Sequence, residues 1–343
     1  MNPRPRILIV YTGGTIGMFQ DEETGSLRPF DLDRLLKFAP ELSQVACDLD
    51  MSTFDPPLDS SNMQPSHWRR IGEVISENYH AYHGFVVLHG TDTMSFSASA
   101  LSFSLSNLGK PVVFTGSQLP IGLTRTDARE NLVTAVEIAA YAERGRAMVP
   151  EVCLYFEDEL YRGNRTHKAS SEQFEAFRSE NYPSLASAGI RIKFKEAYIQ
   201  THPEEPFEFL PEIDPRVGVV KVFPGIQEEW LEQVLGGNSL RAVILETYGA
   251  GNAPTEKWFL NLLEKAQNTG KILVNKSQCT GGGVDMGRYE TSRRLKEMGI
   301  WSAGDMSFES SLTKLMFVLG NPERFPNLQD AYERSLRGEL SQG

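Results

Sequence analysis

Five short segments concentrate the hydroxyls, carboxylates and flexible backbone that acyl-transfer chemistry uses. Tyr11-Thr12-Gly13-Gly14-Thr15-Ile16-Gly17 pairs glycines, which let backbone N–H groups approach a ligand, with the hydroxyl of Thr15. Its alternative is a tight turn or a dinucleotide loop, but Gly13, Gly14 and Gly17 do not have the GxGxxG spacing that opens a helix in that fingerprint. His89-Gly90-Thr91-Asp92-Thr93-Met94 supplies a second hydroxyl–carboxylate group, which either caps a helix or serves a hydroxyl nucleophile as a proton relay. Thr115-Gly116-Ser117-Gln118 is small and polar and by itself reads as a turn. Asp59-Ser60-Ser61-Asn62 either forms an Asx turn or grips a zwitterion's carboxylate and amine. In Tyr161-Arg-Gly-Asn-Arg-Thr-His-Lys168, Lys168 is either a solvated surface charge or, if desolvated beside a threonine, a base.

These segments need strand ends to hold them. Short β-branched runs bounded by turn residues recur at 6–12, 84–89, 111–115, 151–156, 217–223, 242–247 and 271–275. Helical spacing of apolar residues predicts helices over 93–107, 127–143 and 255–267. Alternating strands and helices imply an α/β fold of two domains with mainly parallel sheets, in which ligands bind beyond the carboxyl ends of the strands. Proline and acid concentrate around 193–215. The expected division is an N-terminal α/β domain over 1–192, a linker over 193–215 and a smaller, Rossmann-like domain over 216–343.

The 343 residues carry 34 Lys+Arg against 45 Asp+Glu, a formal charge of −11. That sign opposes phosphate neutralisation, so nucleic acid and anionic membrane are excluded as expected partners. Cys47, Cys153 and Cys279 are too scattered for a disulfide framework or a metal clip. The six histidines include His80-x-x-His83 but no HExxH pattern, and neither a metal nor an organic cofactor is expected. The apolar run Ile7-Leu-Ile-Val10 is shorter than a signal core of ~7 to 15 residues, and no later run approaches the ~20 of a membrane helix. The expected location is cytoplasmic.

Taken together, TGGTIG, DSS, LHGTDTM, TGSQ and YRGNRT-x-K, with GAGNAP (249–254) and NKSQC (275–279), resemble the bacterial-type L-asparaginases, and more narrowly their cytoplasmic type I branch. The resemblance runs essentially end to end. It implies hydrolysis of L-asparagine to L-aspartate and ammonia, with Thr15 attacking the side-chain carboxamide to form a β-aspartyl ester. It implies that Thr91 and Lys168 move protons and activate the hydrolytic water, and that Asp92 also holds the substrate's α-ammonium. It further implies that Asp59, Ser60 and Ser61 grip the α-carboxylate and α-amine, that Ser117 and Gln118 border the leaving amide, and that the enzyme is a homodimer or homotetramer.

Two departures from the family pattern stand out. Many members carry a tyrosine in the loop after the first motif, whereas Asp21 to Phe30 has none; this acidic loop between Phe19 and Phe30 is the expected mobile lid. Some type I enzymes bind a second asparagine through an arginine before the YGxGN turn, a threonine before the lysine, and the NxxQC cysteine. Here those positions hold Glu246, His167 and Cys279, so the expectation is a degenerate, non-functional effector site. The competing readings are a relaxed glutaminase-asparaginase, an amidotransferase-associated subunit and a non-catalytic amino-acid-binding protein. The second is disfavoured because the chain has no room for tRNA-facing domains and carries the wrong charge.

Overall fold

The computed structural model describes residues 4–17, 31–287 and 290–341. The chain divides into two compact units, Met1–Pro211 and Glu212–Gly343. In the first, the described residues form an eight-stranded sheet. Strands β1 (Arg6–Gly13), β2 (Asp48–Leu58) and β3 (Gly84–Leu88) come first, and β4 (Leu105–Ser106) lies apart from the sheet. Strand β5 (Val112–Thr115) continues it, β6 (Ala142–Glu143) and β7 (Arg146–Ala147) form a separate hairpin, and β8 (Val152–Phe156) and β9 (Glu159–Arg162) follow. Strands β10 (His167–Lys168) and β11 (Phe177–Arg178) pair with each other, and β12 (Ala186–Ser187) and β13 (Lys193–Phe194) complete the edge. The order is β13-β12-β9-β8-β5-β3-β1-β2; β2, β1, β3, β5 and β8 run parallel, and the others join antiparallel.

Parallel strands covered on both faces need continuous apolar sequence. Strands β3, β5 and β8 are buried at every position, as is β1 after Arg6. One face packs Ile7, Ile9, Val86, Leu88 and Val113 against α1 (Leu32–Phe38) and α4 (Ala128–Ala140) through Leu35, Leu132, Ala135 and Val136. Helix α2 (Pro65–Asn78) opens on Pro65, which suits a first turn whose N–H groups lack intrahelical partners. Helix α3 (Met94–Ser104) is buried at all but one position. Its serines at 95, 97, 99, 102 and 104 are small enough for close neighbours, and a methyl group on Gly163 would lie 3.2 Å from the Ala98 side chain.

The stretch 193–215, expected as a linker, contributes structure to this unit. Lys193–Phe194 is the sheet's edge strand, and β14 (Glu208–Phe209) pairs with β4. Phe207 also stacks on Tyr79 with ring centroids 3.8 Å apart.

The second unit has a four-stranded parallel sheet, β15 (Val217–Lys221), β16 (Ala242–Thr247), β17 (Ile272–Ser277) and β18 (Trp301–Ser302). Alternate residues of β16 face opposite layers, as a period of two requires. Val243 and Leu245 pack toward α5 (Glu228–Gly236), α6 (Lys257–Asn268) and α7 (Glu290–Glu297), through Leu231, Leu235, Phe259, Leu263 and Leu295. Ala242 and Ile244 pack toward α8 (Phe308–Gly320) and α9 (Leu328–Glu333), through Leu315, Leu319 and Tyr332. Helices on both faces of a parallel sheet are the Rossmann-like arrangement expected of this half. No described helix is long and apolar enough to cross a membrane.

Candidate active site

Glycine geometry brings three loops together at the carboxyl ends of β1, β2 and β3. Gly13 and Gly14 have φ of +134° and +89°, values that side chains other than glycine's rarely adopt. A methyl group on Gly13 would lie 2.1 Å from the Leu58 carbonyl oxygen, and one on Gly14 would lie 2.5 Å from the Gly90 nitrogen. One on Gly90 would lie 2.5 Å from Ser60 Oγ. Bare backbone therefore lets the turn Thr15–Gly17 rest against the Gly90 loop, and the Gly90 loop against Ser60. Thr93 Oγ1 ties the last two loops by donating to the Ser60 carbonyl at 2.7 Å. Thr15, which opens the first turn, is half-buried.

The second threonine group is assembled around Lys168. Its Nζ donates to Thr91 Oγ1 at 2.8 Å and to Asp92 Oδ1 at 2.7 Å, and its side chain is only 17% exposed. Thr91 in turn donates to Gln118 Oε1 at 3.2 Å. The lysine arrives on β10, just beyond the turn Gly163–Arg165, where Thr166 Oγ1 donates to the Gly163 carbonyl at 3.0 Å. Lys168 is thus half-buried with a threonine partner rather than a fully solvated surface charge. Hydroxyl, ammonium, carboxylate and amide form one hydrogen-bonded chain, through which a proton can be delivered to or removed from a group at Thr91.

The flanking loops differ in how they present their groups. Asp59 is exposed and its carboxylate accepts from the Ser61 N–H at 2.9 Å; that bond and the Ser61 hydroxyl hold it below the usual carboxylate range. Ser60 is buried. The Asx-turn reading is thus correct for the local backbone, and it leaves Asp59 open to solvent. Ser117 is buried and its hydroxyl donates to the Leu119 carbonyl at 2.6 Å, so it shapes its own turn, whereas Gln118 reaches Thr91.

Several supporting residues escaped the sequence reading. The Asp127 carboxylate accepts from the Gln118 N–H at 2.9 Å and the Leu119 N–H at 3.2 Å, and Asn131 donates to the Gly116 carbonyl at 3.1 Å. Burial pushes Asp127 above its ordinary value, and the two N–H groups pull it back. Beneath the second loop, His89, Ser97 and Trp68 form a buried chain. His89 stood inside a quoted motif, which was the available signal. Asp127 was legible only as a helix start. The expected lid between Phe19 and Phe30 lies outside the described residues.

Of the expected effector positions, His167 is a half-buried strand residue of the first unit. In the second unit, Glu246 is half-buried near the end of β16, and Cys279 is exposed. Arg241, one cation near Glu246 in sequence, is committed to Asp214 at 2.9 Å. Lys276, the other, is buried and donates to the Ser277 carbonyl at 2.9 Å. Among the described residues no group of three or more His, Cys, Asp or Glu is placed to hold a metal ion.

Comparison with known proteins bears on the family and the fold. Residues 6–200 match the family model "Asparaginase, N-terminal", and residues 216–331 match "Glutaminase/Asparaginase C-terminal domain". L-asparaginase 1 of Escherichia coli K12 is 41% identical over 336 residues, 98% of each chain. The structure of L-asparaginase I from Vibrio cholerae superposes with a TM-score of 0.89 at 38% identity, covering 99% of this chain and all of that one. A mouse 60 kDa lysophospholipase is 36% identical over 99% of this chain, which spans 63% of that longer protein. With both family models matched in order and the threonine loops assembled at the strand ends, the chain belongs to the asparaginase family.

Proposed function

We propose that this protein is an L-asparaginase that works through a threonine-linked acyl-enzyme. The observation that carries this reading is the Lys168 ammonium set between the Thr91 hydroxyl and the Asp92 carboxylate, on a loop packed through Gly90 against the turn that presents Thr15. In the first half-reaction Thr15 Oγ bonds to the carboxamide carbon, the C–N bond breaks, and the hydroxyl proton leaves with the nitrogen as ammonia. In the second, water attacks the β-aspartyl ester carbon, and a proton returns to Thr15 Oγ as the ester C–O bond breaks. Thr91 with Lys168 moves the protons. An amide is a poor electrophile, and fixed donors to the developing oxyanion contribute ~3 kcal/mol each; the backbone N–H groups of the glycine turns are the donors proposed. Asp59, Ser60, Ser61 and Asp92 bind the α-carboxylate and α-ammonium, with Gln118 and Ser117 at the amide end.

Ammonia release with asparagine and with glutamine tests this. Asparagine should be hydrolysed and glutamine much more slowly, although one methylene is worth only ~1 to 3 kcal/mol. Equal kcat/KM would favour the relaxed enzyme, and no ammonia from either would leave only a binding protein. Thr15→Ala, Thr91→Val and Lys168→Met should each remove most of kcat, and their losses should not add, because groups acting as one unit are non-additive.

The proposed assembly is a homodimer or a dimer of dimers, with the Gly249–Pro254 turn approaching a partner's site. That turn is preformed: Gly249 and Gly251 have positive φ, and Asn275 Nδ2 donates to the Gly251 carbonyl at 3.0 Å. A fully active monomer in light scattering would contradict the shared site.

A further inference from the structure

His89 is fully buried at the end of β3, immediately before the loop that carries Thr91. Its Nδ1 lies 2.7 Å from the Gly90 carbonyl oxygen and its Nε2 lies 2.8 Å from Ser97 Oγ; Trp68 Nε1 donates to that same oxygen at 2.9 Å. Donor chemistry leaves one arrangement of protons. A carbonyl only accepts, so Nδ1 carries the ring hydrogen. Nε2 of the neutral ring is then an acceptor, and the single Ser97 proton points at it. An indole only donates, which fills the remaining role of Ser97 Oγ. The chain runs one way, from Trp68 through Ser97 and His89 to the Gly90 carbonyl. Burial keeps the imidazole neutral by lowering its pKa to about 4.

The Gly90 carbonyl shares a rigid peptide plane with the N–H of Thr91, and in a trans peptide the two point in opposite directions. Asp55–Pro56 is the only cis bond among the described residues, so this peptide is trans. Drawing the carbonyl toward the buried imidazole therefore turns the Thr91 N–H out of the core, and a carbonyl that accepts a bond leaves its N–H a stronger donor. Thr91 also opens a 3-10 turn, where N–H groups have no intrahelical acceptor. The loop is held from its other sides by Gly14 and by Gly116, where a methyl group would lie 2.3 Å from the His89 carbonyl oxygen.

We infer that His89, locked in the Nδ1–H tautomer by Ser97 and Trp68, is a positioning residue that sets the plane of the Gly90–Thr91 peptide and so aims both the N–H and the hydroxyl of Thr91. The inference rests on the catalytic reading of Thr91 given above. An error of about 1 Å at such a position lowers turnover by about 100-fold.

Four variants and one spectrum test it. His89→Leu should lower kcat by roughly 10- to 100-fold with KM changed little, since the group acts on the reacting loop. His89→Asn, whose amide nitrogen falls near the position of Nδ1, should recover most of that loss. Ser97→Ala keeps the ring but removes its pin, and should lower kcat several-fold. In the unmodified protein, nitrogen-15 NMR of His89 should show a protonated Nδ1 and a bare Nε2. A proton on Nε2 would overturn the inference, as would equal losses in the Leu and Asn variants, which denote packing alone. Should His89→Leu fail to fold, Ser97→Ala carries the kinetic test, and an unchanged kcat there overturns it. Thr91→Val, measured alongside, separates the two readings: full turnover in that variant overturns the catalytic role and the inference with it. An inactive Thr91→Val beside a fully active His89→Leu overturns the inference alone.

Discussion

The backbone nitrogen of Gly90 lies 2.5 Å from where a methyl group on Gly14 would sit, so the loops carrying Thr15 and Thr91 meet through bare peptide. No side chain separates them, and none can be inserted without moving a strand end.

Gly14→Ala should therefore fail for two reasons that act together. The φ of +89° strains any L side chain by roughly 1 to 3 kcal/mol, and the overlap with Gly90 must displace one loop. Because positioning errors of about 1 Å reduce turnover by about 100-fold, kcat should fall by that order while the protein remains folded. A Gly14→Ala enzyme with near-normal kcat would show that the loop contact is unimportant.

Asp127 acts on the site at one remove. It accepts the N–H groups of Gln118 and Leu119, and Gln118 accepts from Thr91. Asp127→Ala leaves two half-buried donors unmet, a loss of roughly 1 kcal/mol in stability. The loosened Gln118 should also lower kcat more than it raises KM. Steady-state kinetics and thermal unfolding check both, and unchanged kcat in a destabilised variant would reduce Asp127 to a structural cap.

Asparagine should not act as an effector. By the family pattern Glu246 takes the place of the arginine that would grip the effector's own carboxylate, while Arg241 is held by Asp214 and Lys276 is buried beside further carboxylates. Like charge in place of a bidentate pair disfavours binding, and a ligand that does not bind a second site cannot bias a conformational equilibrium. The rate curve should be hyperbolic with a Hill coefficient near one; sigmoidal dependence would prove this wrong.

How much of this was legible in the sequence depended on whether each element announced itself through apolar pattern. Strands β1, β3 and β5 are buried on both faces and read as Ile/Val/Leu/Phe runs. Strand β2 is an edge strand, mostly half-buried or exposed, with Pro56 and Pro57 inside it, so it carried no such run and was not foreseen. Helix α3 was placed to within a few residues, because Leu-Gly-Lys-Pro after it ends a helix. Its all-round burial was hidden by five serines, which the sequence offered as polar residues but which serve as small ones. In the site, the motif residues stood out as glycine beside a hydroxyl at strand ends, and the roles proposed for them came from the family resemblance. The supports were not: Asp127, Asn131, Ser97 and Trp68 read as ordinary helix residues, and nothing local pairs Asn131 with Gly116, 15 positions back, or Trp68 with Ser97, 29 positions ahead.

The second unit's stability rests in part on Lys314 and Glu339, paired at 2.5 Å with both side chains fully buried. Burial alone would raise the Glu339 carboxyl, but the Lys314 ammonium and the N–H groups of Leu336 and Arg337 outweigh it and hold it below its ordinary value. A depressed carboxyl contributes stability above its unfolded pKa and loses it as pH falls through the folded one. Lys314→Met should therefore destabilise by about 3 to 5 kcal/mol at neutral pH and by less in acid, where Glu339 is protonated. Denaturant unfolding at the two pH values decides; an equal loss at both would mean that packing, not charge, holds the pair.

Glu309 should show the opposite pH dependence. It is 8% exposed in α8 and its Oε2 is buried without a hydrogen-bond partner among the described residues. Burial, helped by the like charge of Glu246 and opposed by Ser307 and Lys276, raises its pKa from 4.5 to about 7. A raised carboxyl favours folding while protonated, so its contribution is complete below the unfolded pKa and is lost between about pH 4.5 and 7. The difference corresponds to roughly 3 kcal/mol less stability at pH 8 than a permanently neutral group would leave. Glu309→Gln supplies that neutral group, at a cost of about 1 kcal/mol for the extra buried donor. The variant should thus be more stable than the parent at pH 8 and slightly less stable at pH 5, measured as unfolding midpoints in urea. If the substitution changes stability equally at both values, Glu309 is ionised in the folded protein throughout, and an internal cation must be closer to it than Lys276.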